Sequence, residues 1–263
     1  MNILQKIISH KKLEIESKSK VISIDKLKDS QRLYSVRDFK SALIGHDIKI
    51  IAEIKKRSPS NNKIAVSTNF NPEKIAYSYE LNGASAISVL TDQHFFGGSL
   101  NFIHEIKEKV KLPILRKDFI ISQYQVWESF QAGADAILLI ADAIEFSLLS
   151  DLYNLATDLG MYILVEVHSL EKLKEVVNLK PEILGVNCRD LQTMQIDLDW
   201  FANILVDLSQ LDCLKVAESG IETMDDLNFI QKLGYNAALI GTSIMQKKEP
   251  GVALAKLLRR NPL

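Results

Sequence analysis

Short apolar runs rich in Ile, Val and Leu recur along the chain from residue 48 onward, and stretches with the apolar spacing of amphipathic helices separate them. This alternation is typical of βα units in a parallel sheet, because strands that are buried on both faces are apolar throughout. The pattern predicts eight strands, over residues 48–54, 85–90, 112–116, 135–140, 161–166, 182–187, 214–218 and 237–241.

A weak internal repeat supports this count. Gly83-Ala-Ser-Ala-Ile, Gly133-Ala-Asp-Ala-Ile and Gly234-Tyr-Asn-Ala-Ala each stand where a helix would end and a strand would begin. They precede the second, fourth and eighth predicted strands, so one unit takes roughly 25 residues. We therefore expect an α/β protein with the closed (β/α)8, or TIM-barrel, fold.

A doubly wound open sheet is the alternative fold. It would require a Gly-x-Gly-x-x-Gly turn after the first strand, whereas this chain has Lys-Lys-Arg-Ser-Pro-Ser over residues 55–60.

Residues 1–47 precede the first predicted strand and are dense in charge. Apolar residues at Ile3, Leu4, Ile7, Ile8 and Ile15 have helical spacing. We expect an N-terminal helical extension that packs on the barrel, because no Pro/Gly-rich linker separates the two, and we treat residues 1–263 as a single domain.

Composition excludes several classes of protein. Of the 263 residues, 47% are hydrophobic, and 32 basic against 33 acidic residues give a formal net charge of −1. A nucleic-acid-binding domain usually carries a basic excess, so we expect no nucleic-acid partner. The longest uninterrupted apolar run, residues 136–141, is far shorter than the ~20 residues of a membrane span.

Cysteine usage favours a reducing compartment. Cys188 and Cys213 are the two cysteines, they have no metal-ligand spacing, and the amino-terminal residues lack the pattern of an export signal. We expect a cytoplasmic protein without a metal site, and His168 has no second ligand at metal-binding spacing.

Ionisable residues follow several of the predicted strands, where a TIM barrel places its catalytic groups. Period-two alternation puts Glu53 and Lys55 on the face of Ile51, directed toward the barrel mouth. Any one such charge is more simply a solvated loop residue, but the pattern recurs at four strands. A Lys beside carboxylates is a credible general acid and a Glu a credible base. Among the other three strands, strand three ends with Lys117, strand five with Glu166, and strand six with Asn187 and Arg189.

The loops after strands seven and eight read Glu218-Ser219-Gly220 and Gly241-Thr242-Ser243. These loops commonly bind phosphate in TIM barrels, because Gly lets the backbone approach the anion and the N–H groups of a helix start bind it. Two ordinary tight turns are the alternative.

Two further features have simple interpretations. Cys188 lacks a nearby His base and is expected to be a packing residue rather than a nucleophile. Phe95-Phe96 after strand two is either an aromatic pocket wall or plain loop packing.

Across essentially its whole length the chain resembles the indole-3-glycerol phosphate synthase family. The resemblance includes the N-terminal extension, and Glu-Ile-Lys-x-x-Ser-Pro-Ser is nearly diagnostic. The motifs that carry it are Ile51-Ala-Glu-Ile-Lys-Lys-Arg-Ser-Pro-Ser60, Leu115-Arg-Lys-Asp-Phe-Ile120, Leu164-Val-Glu-Val-His168, Gly185-Val-Asn-Cys-Arg-Asp-Leu191, Ala217-Glu-Ser-Gly-Ile221 and Leu239-Ile-Gly-Thr-Ser243.

The resemblance implies a carbon-carbon lyase of tryptophan biosynthesis that needs no cofactor and acts on a phosphorylated small molecule as a monomer or weak homodimer. It implies Lys117 as general acid, Glu166 in proton transfer and Glu53 with Lys55 in later steps. Asn187 and Arg189 would hold the substrate's carboxylate and hydroxyls, beside Glu218 and Ser219. The implied phosphate cradle is Ser58, Gly220, Gly241 and Thr242, and the implied anthranilate pocket is Pro59, Phe96, Phe119, Leu138 and Leu191.

Two residues depart from the family pattern. Cys188 stands where Asn or Ser is frequent, and Thr242 where Ser or Glu is common. Both affect fine positioning alone.

Two other functions remain open at this point. Phosphoribosylanthranilate isomerase, another phosphate-sugar barrel, would use a Cys/Asp acid-base pair and lacks the extension. A non-catalytic phosphate-binding barrel would not need the acids and bases at Glu53, Lys55, Lys117 and Glu166. The charges at the predicted mouth nearly cancel, so we expect backbone N–H groups to carry much of the phosphate binding.

Overall fold

The computed structural model describes residues 2–59, 70–190, 193–208 and 211–262. In these residues eight parallel strands close into a barrel in chain order. The strands are β1 (Lys49–Ile54), β2 (Ala86–Leu90), β3 (Ile114–Lys117), β4 (Ala136–Ile140), β5 (Tyr162–Val167), β6 (Ile183–Asn187), β7 (Leu214–Glu218) and β8 (Ala237–Ile240). The expected TIM barrel is confirmed, and every predicted strand end lies within two residues of its position in the structure.

Helices surround the barrel and connect its strands. Capping side chains fix where several begin: Asn71, Ser122, Ser169 and Thr223 each accept a hydrogen bond from a backbone N–H in the first turn. None of the described helices combines the length and the apolar character that crossing a bilayer requires. The helices are α1 (Ile3–Val21), α2 (Ile24–Asp29), α3 (Phe39–Ala42), α4 (Pro72–Leu81), α5 (Gln93–Phe96), α6 (Asn101–Lys107), α7 (Gln123–Ala132), α8 (Phe146–Asp158), α9 (Leu170–Val176), α10 (Trp200–Asn203), α11 (Leu205–Leu208), α12 (Met224–Lys232), α13 (Thr242–Met245) and α14 (Pro250–Leu257), with 3₁₀ turns at Ala141–Ala143 and Val177–Leu179.

Side chains alternate along each strand between the barrel interior and the surrounding helices. On β1, Ile51 packs inside, whereas Ile50 and Ala52 pack against the helices. Toward the carboxyl ends of the strands, the positions that point into the barrel are occupied by polar residues. These side chains therefore converge at the barrel mouth. The interior core comprises Ile51, Ala86, Leu115, Ala136, Leu138, Ile140, Leu164, Ile183, Val216, Ala237 and Leu239.

The amino-terminal segment contacts both ends of the barrel. At the mouth, Ile3, Leu4 and Ile7 of α1 line the cavity described below. At the opposite end, Phe39 and Leu43 are fully buried in the interior core and close the barrel floor.

Between these ends the segment runs along α7. The Arg32 guanidinium donates to the carbonyls of Phe130 and Ala134 at 2.9 and 2.8 Å. The Gln131 side chain donates to Leu27 O at 2.9 Å. The Arg32 bonds reach carbonyls at the carboxyl end of α7 and just beyond it, and the Gln131 bond reaches a carbonyl near the end of α2.

Candidate active site

A cavity of about 410 Å³ lies at the carboxyl ends of the strands. All eight strands or the turns that follow them contribute to its lining, and α1 covers one side of it. The cavity is polar at its base, where the interior parity of the strands delivers charged groups, and apolar on the side of α1.

Lys117 is the central cation at the base of the cavity. Its Nζ lies 2.8 Å from Glu166 Oε2 and 2.5 Å from Glu218 Oε2. The Lys117 side chain is 15% exposed, whereas both carboxylates are almost fully buried. An ammonium between two buried carboxylates is strongly held, and it still has a face toward the cavity.

The two carboxylates have opposite proton affinities. Burial would raise the pKa of Glu166, but Lys117 and His168 lower it to about 2. Burial and the neighbouring charge of Glu166 raise the pKa of Glu218 well above its ordinary value. The pair therefore favours one ionised and one protonated carboxyl, an arrangement suited to acid-base chemistry.

Lys117 itself stays charged. Burial lowers its pKa, but nearby carboxylate charge, that of Glu166 above all, outweighs burial and holds the pKa above its ordinary value. In the ligand-free site Lys117 is therefore an ammonium that donates hydrogen bonds at the cavity base.

His168 continues this network away from Lys117. Its Nε2 lies 3.3 Å from Glu166 Oε1, and its Nδ1 lies 3.3 Å from Asp142 Oδ2. The His168 side chain is 5% exposed and also lines the cavity. Asp142 thus orients an imidazole that faces the carboxylate of Glu166.

A second pair of charges lies at the end of β1. Lys55 Nζ contacts Glu53 Oε1 at 2.5 Å and donates to Thr242 Oγ1 at 3.2 Å. Lys55 thereby links the acid-base cluster to the turn after β8.

Two glycines make room for the buried carboxylates. A Cβ at Gly185 would lie 2.2 Å from Glu218 Oε1, and a Cβ at Gly241 would lie 2.2 Å from Glu53 Oε1. Both distances are too short for any side chain, so the carboxylates occupy the space that the missing Cβ atoms leave.

The turn after β6 directs Asn187 and Arg189 to the cavity. Asn187 Oδ1 accepts a hydrogen bond from Arg189 N at 3.0 Å, and Arg189 Nη1 donates to Met194 O at 3.1 Å. Both side chains are half-buried and line the cavity, which leaves polar atoms available to a ligand.

Backbone in the left-handed region follows β7. Ser219 and Gly220 both have φ of +72°, a conformation that is rare and costly for serine. After β8, Gly241 precedes the short helix α13, whose first N–H groups have no intrahelical partner. Both turns line the cavity and present backbone to it, as an anion site requires.

The apolar side of the cavity combines two phenylalanines with α1. The rings of Phe96 and Phe119 are 6.0 Å apart between centroids. Together with Leu138, Ile3 and Leu4 they form a wall that suits a flat aromatic group.

A model of the family described as indole-3-glycerol phosphate synthase matches residues 4–257. The chain belongs to the indole-3-glycerol phosphate synthase family.

Relatives with this name are similar over nearly their whole length. The indole-3-glycerol phosphate synthase of Alkaliphilus metalliredigens (strain QYMF) is 40% identical over 257 residues, which cover 97% of each chain. That of Bacillus pumilus (strain SAFR-032) is 45% identical over 224 residues, covering 84% of this chain and 88% of the relative. That of Geobacillus sp. (strain WCH70) is 42% identical, covering 98% and 97%.

One solved structure is similar to this chain in fold alone. Thiamine phosphate pyrophosphorylase from Pyrococcus furiosus superposes with a TM-score of 0.59 at 15% identity, covering 84% of this chain and 96% of that one.

All described residues to which the resemblance to the indole-3-glycerol phosphate synthase family assigns a catalytic or binding role line this one cavity. Leu191, and Ser60 of the first motif, lie outside the described residues. The expected catalytic set in the cavity is Glu53, Lys55, Lys117, Glu166, Asn187, Arg189 and Glu218, and the expected binding set is Ser58, Pro59, Phe96, Phe119, Leu138, Ser219, Gly220, Gly241 and Thr242.

Sequence reasoning missed two contributors to the cavity. His168 was considered as a metal ligand alone, although period-two alternation from Glu166 places it on the same side of the strand end. The residues of α1 were expected to pack on the barrel, not to line its mouth. In the described part of the chain, no group of three or more His, Cys, Asp or Glu side chains could hold a metal ion.

Proposed function

We propose that the chain uses this cavity to convert 1-(2-carboxyphenylamino)-1-deoxyribulose 5-phosphate into indole-3-glycerol phosphate, carbon dioxide and water. The observation that carries the proposal is the Lys117 ammonium held between Glu166 and Glu218 at the base of a cavity with one apolar and one backbone-lined side.

The two sides suit the two ends of this substrate. The carboxyphenyl ring fits the wall of Phe96 and Phe119 beside α1. The phosphate fits the turns at Ser219-Gly220 and Gly241-Thr242, where left-handed backbone and a helix start offer N–H donors. Bound between these sides, the ketone of the ribulose chain lies over Lys117.

Ring closure joins the ring carbon that bears the carboxylate to the ketone carbon. Negative charge then develops on the ketone oxygen. Lys117 stabilises that charge and donates a proton to it, forming a hydroxyl. Asn187 and Arg189 line the neighbouring part of the cavity and would hold the substrate carboxylate in place for attack.

Decarboxylation and dehydration complete the reaction. Loss of carbon dioxide leaves its bonding electrons with the ring and restores aromaticity. Loss of water then needs an acid that protonates the leaving hydroxyl and a base that removes a proton from the new ring. Glu218, with its raised pKa, supplies a protonated carboxyl, and Glu166, with its pKa lowered to about 2, supplies an ionised one. Glu53 and Lys55 form a second pair within the same cavity.

The isomerase alternative is weakened by the position of Cys188. This residue is buried in the layer between strands and helices, its Sγ donates to Ser219 O at 3.4 Å, and burial raises the pKa of its thiol to about 11. Such a thiol is a poor proton donor or acceptor near neutral pH. Cys188 and Cys213 are both free thiols, which fits the cytoplasmic location that forms part of this proposal.

Incubation of the pure protein with the carboxyphenylamino substrate tests the proposal. We expect indole fluorescence to appear with enzyme-dependent kinetics. Protein that is folded by circular dichroism yet releases no indole product would overturn the proposal. The isomerase is tested in parallel by supplying phosphoribosylanthranilate, which should not be consumed.

A further inference from the structure

A lysine of α1 is buried where a solvated charge is expected. Lys11 is 1% exposed, while the next residue, Lys12, is exposed. Its Nζ lies 2.8 Å from Asp92 Oδ2, 3.0 Å from Asp118 Oδ1 and 2.9 Å from Glu14 Oε2. Burial lowers the pKa of Lys11, but Asp118 and Asp92 outweigh burial and keep it above its ordinary value, so the ion is charged.

Asp92 depends on this contact. It follows β2, is fully buried, and uses Oδ1 to accept the N–H groups of Phe95 and Phe96, which starts helix α5. Within the described residues, Lys11 is the cation that pairs with Asp92. Without Lys11, Asp92 Oδ2 would be a buried charge without a cation, which is costly enough to move the turn.

Asp118 connects Lys11 to the other phenylalanine. It follows Lys117 directly, and its Oδ1 accepts from Phe119 N at 2.8 Å while its Oδ2 accepts from Arg116 Nη2 at 3.0 Å. One lysine thus joins α1 to the two turns that carry Phe96 and Phe119.

We propose that Lys11 is a positioning residue that holds helix α1 and the Phe96 and Phe119 turns together and so forms the apolar side of the substrate cavity. Lys11 acts through these elements and does not touch the cavity itself. The proposal rests on the proposed function for its kinetic readout. It predicts a defect in substrate binding rather than in chemistry, because Lys117, Glu166 and Glu218 are held by their own strands.

The test compares Lys11→Met with two controls. Lys12→Met removes an exposed charge one residue away. Lys107→Met removes another fully buried lysine, whose Nζ contacts Asp135 Oδ1 at 2.6 Å before β4, at the end of the barrel far from the mouth. Lys107→Met therefore reports what the loss of a buried ion pair does when that pair lies away from the mouth.

We expect Lys11→Met to raise KM at least ~10-fold with kcat within ~3-fold of wild type, since its effect is on uniform binding. Lys11→Arg, which keeps the positive charge, should have a KM closer to that of wild type than Lys11→Met has. Lys12→Met should match wild type, and Lys107→Met should lower the melting temperature and leave KM unchanged. A KM for Lys11→Met within twofold of wild type, or an equal rise in Lys107→Met, would overturn the proposal.

Hydrogen exchange separates this proposal from the proposed function. In ligand-free protein, amides of residues 3–21 should exchange faster in Lys11→Met but not in Lys107→Met. Unchanged protection of α1 overturns the positioning role whether or not the wild type turns over substrate. An inactive wild type overturns the proposed function alone. Asp92→Asn, which keeps the cap on α5 and weakens the ion pair, should show the same effects at smaller size if Lys11→Met does not fold.

Discussion

Replacing Gly185 with alanine places a methyl group where the Glu218 carboxylate lies. Gly185 is in the middle of β6, paired in register with Glu166 on one side and Val216 on the other. Its φ is not in the left-handed region, so the strand itself accepts alanine. Gly185→Ala therefore acts through the contact of its new methyl group with neighbouring side chains, not through the backbone of the strand.

The size of the effect can be estimated from the distances. The new Cβ would lie 2.2 Å from Glu218 Oε1 and 3.3 Å from Leu164 Cδ1, and ordinary contact begins at 3.4 Å. The carboxylate must therefore move by about 1 Å, which disturbs the 2.5 Å contact of its other oxygen, Oε2, with Lys117 Nζ. A misplacement of about 1 Å in a catalytic group can cost about 100-fold in rate, or about 2.7 kcal/mol.

We expect Gly185→Ala to lower kcat/KM about 100-fold, measured by the rise in indole fluorescence at saturating and limiting substrate. Gly160→Ala is the control. Gly160 has φ of +74° with no atom within 4 Å of a Cβ, so alanine there costs stability without touching the cavity. Kinetics of Gly185→Ala within threefold of wild type would refute the reasoning.

A double-mutant cycle shows whether the effect passes through Glu218. Glu218→Ala removes the atom that the new methyl group meets. Adding Gly185→Ala in that background should therefore change kcat/KM little. A further loss of the full 100-fold would mean that the methyl group disturbs something else.

We expect Lys117→Ala to lower kcat by several orders of magnitude with a modest change in KM, because the lost ammonium acts on the charge that develops during ring closure; near-normal turnover would contradict the assignment. The pKa of Glu218 is raised, and the carboxyl loses its proton at pH values above that pKa, so kcat should fall as pH rises through it. The pH profile of kcat for Glu218→Gln should lack this alkaline limb. A profile of the variant that keeps the limb would exclude Glu218 as the proton donor. Burial would raise the pKa of Asp118, but Arg116 and Lys11 lower it below its ordinary value of 3.8. Its ionised form thus contributes stability that is fully present well above pH 3.8 and is lost as pH falls through 3.8 toward the folded-state value. The unfolding free energy lost in Asp118→Asn should therefore shrink as pH falls below about 4 in urea titrations, and a constant difference would contradict the role of the charge.

The barrel could be predicted from the sequence because its signal is local. Apolar runs and helix-ending glycines recur once per unit, and both are visible in any short window. Strand ends were less certain, since neighbours decide them. β3 was expected to end at residue 116, but Leu90 of β2 pairs with Lys117 and extends it by one residue.

The residues that form the site could be predicted from the alternation of side chains along the strands, which directs every second one into the barrel. The pairs that these residues form could not be predicted in this way. Lys117 and Glu218 are 101 residues apart, and no local pattern specifies that contact. For Lys11 a signal was present: it stands seven residues after Leu4 and four after Ile7, on the same buried face of α1. A lysine in an apolar helical stripe is evidence for a partner elsewhere in the chain.

The amino-terminal segment, which closes the barrel floor and lines one side of the mouth, also sets an order for folding. Its partners come later in the chain: Glu128 is 110 residues after Lys18, and Ala134 is 102 residues after Arg32. Phe39 packs into a core to which all eight strands contribute. During synthesis the segment emerges before these partners, yet it has nothing to pack against until the barrel has formed. The amino-terminal segment is therefore expected to settle after the barrel strands that follow it, and the cavity that α1 helps to line should be completed at that step.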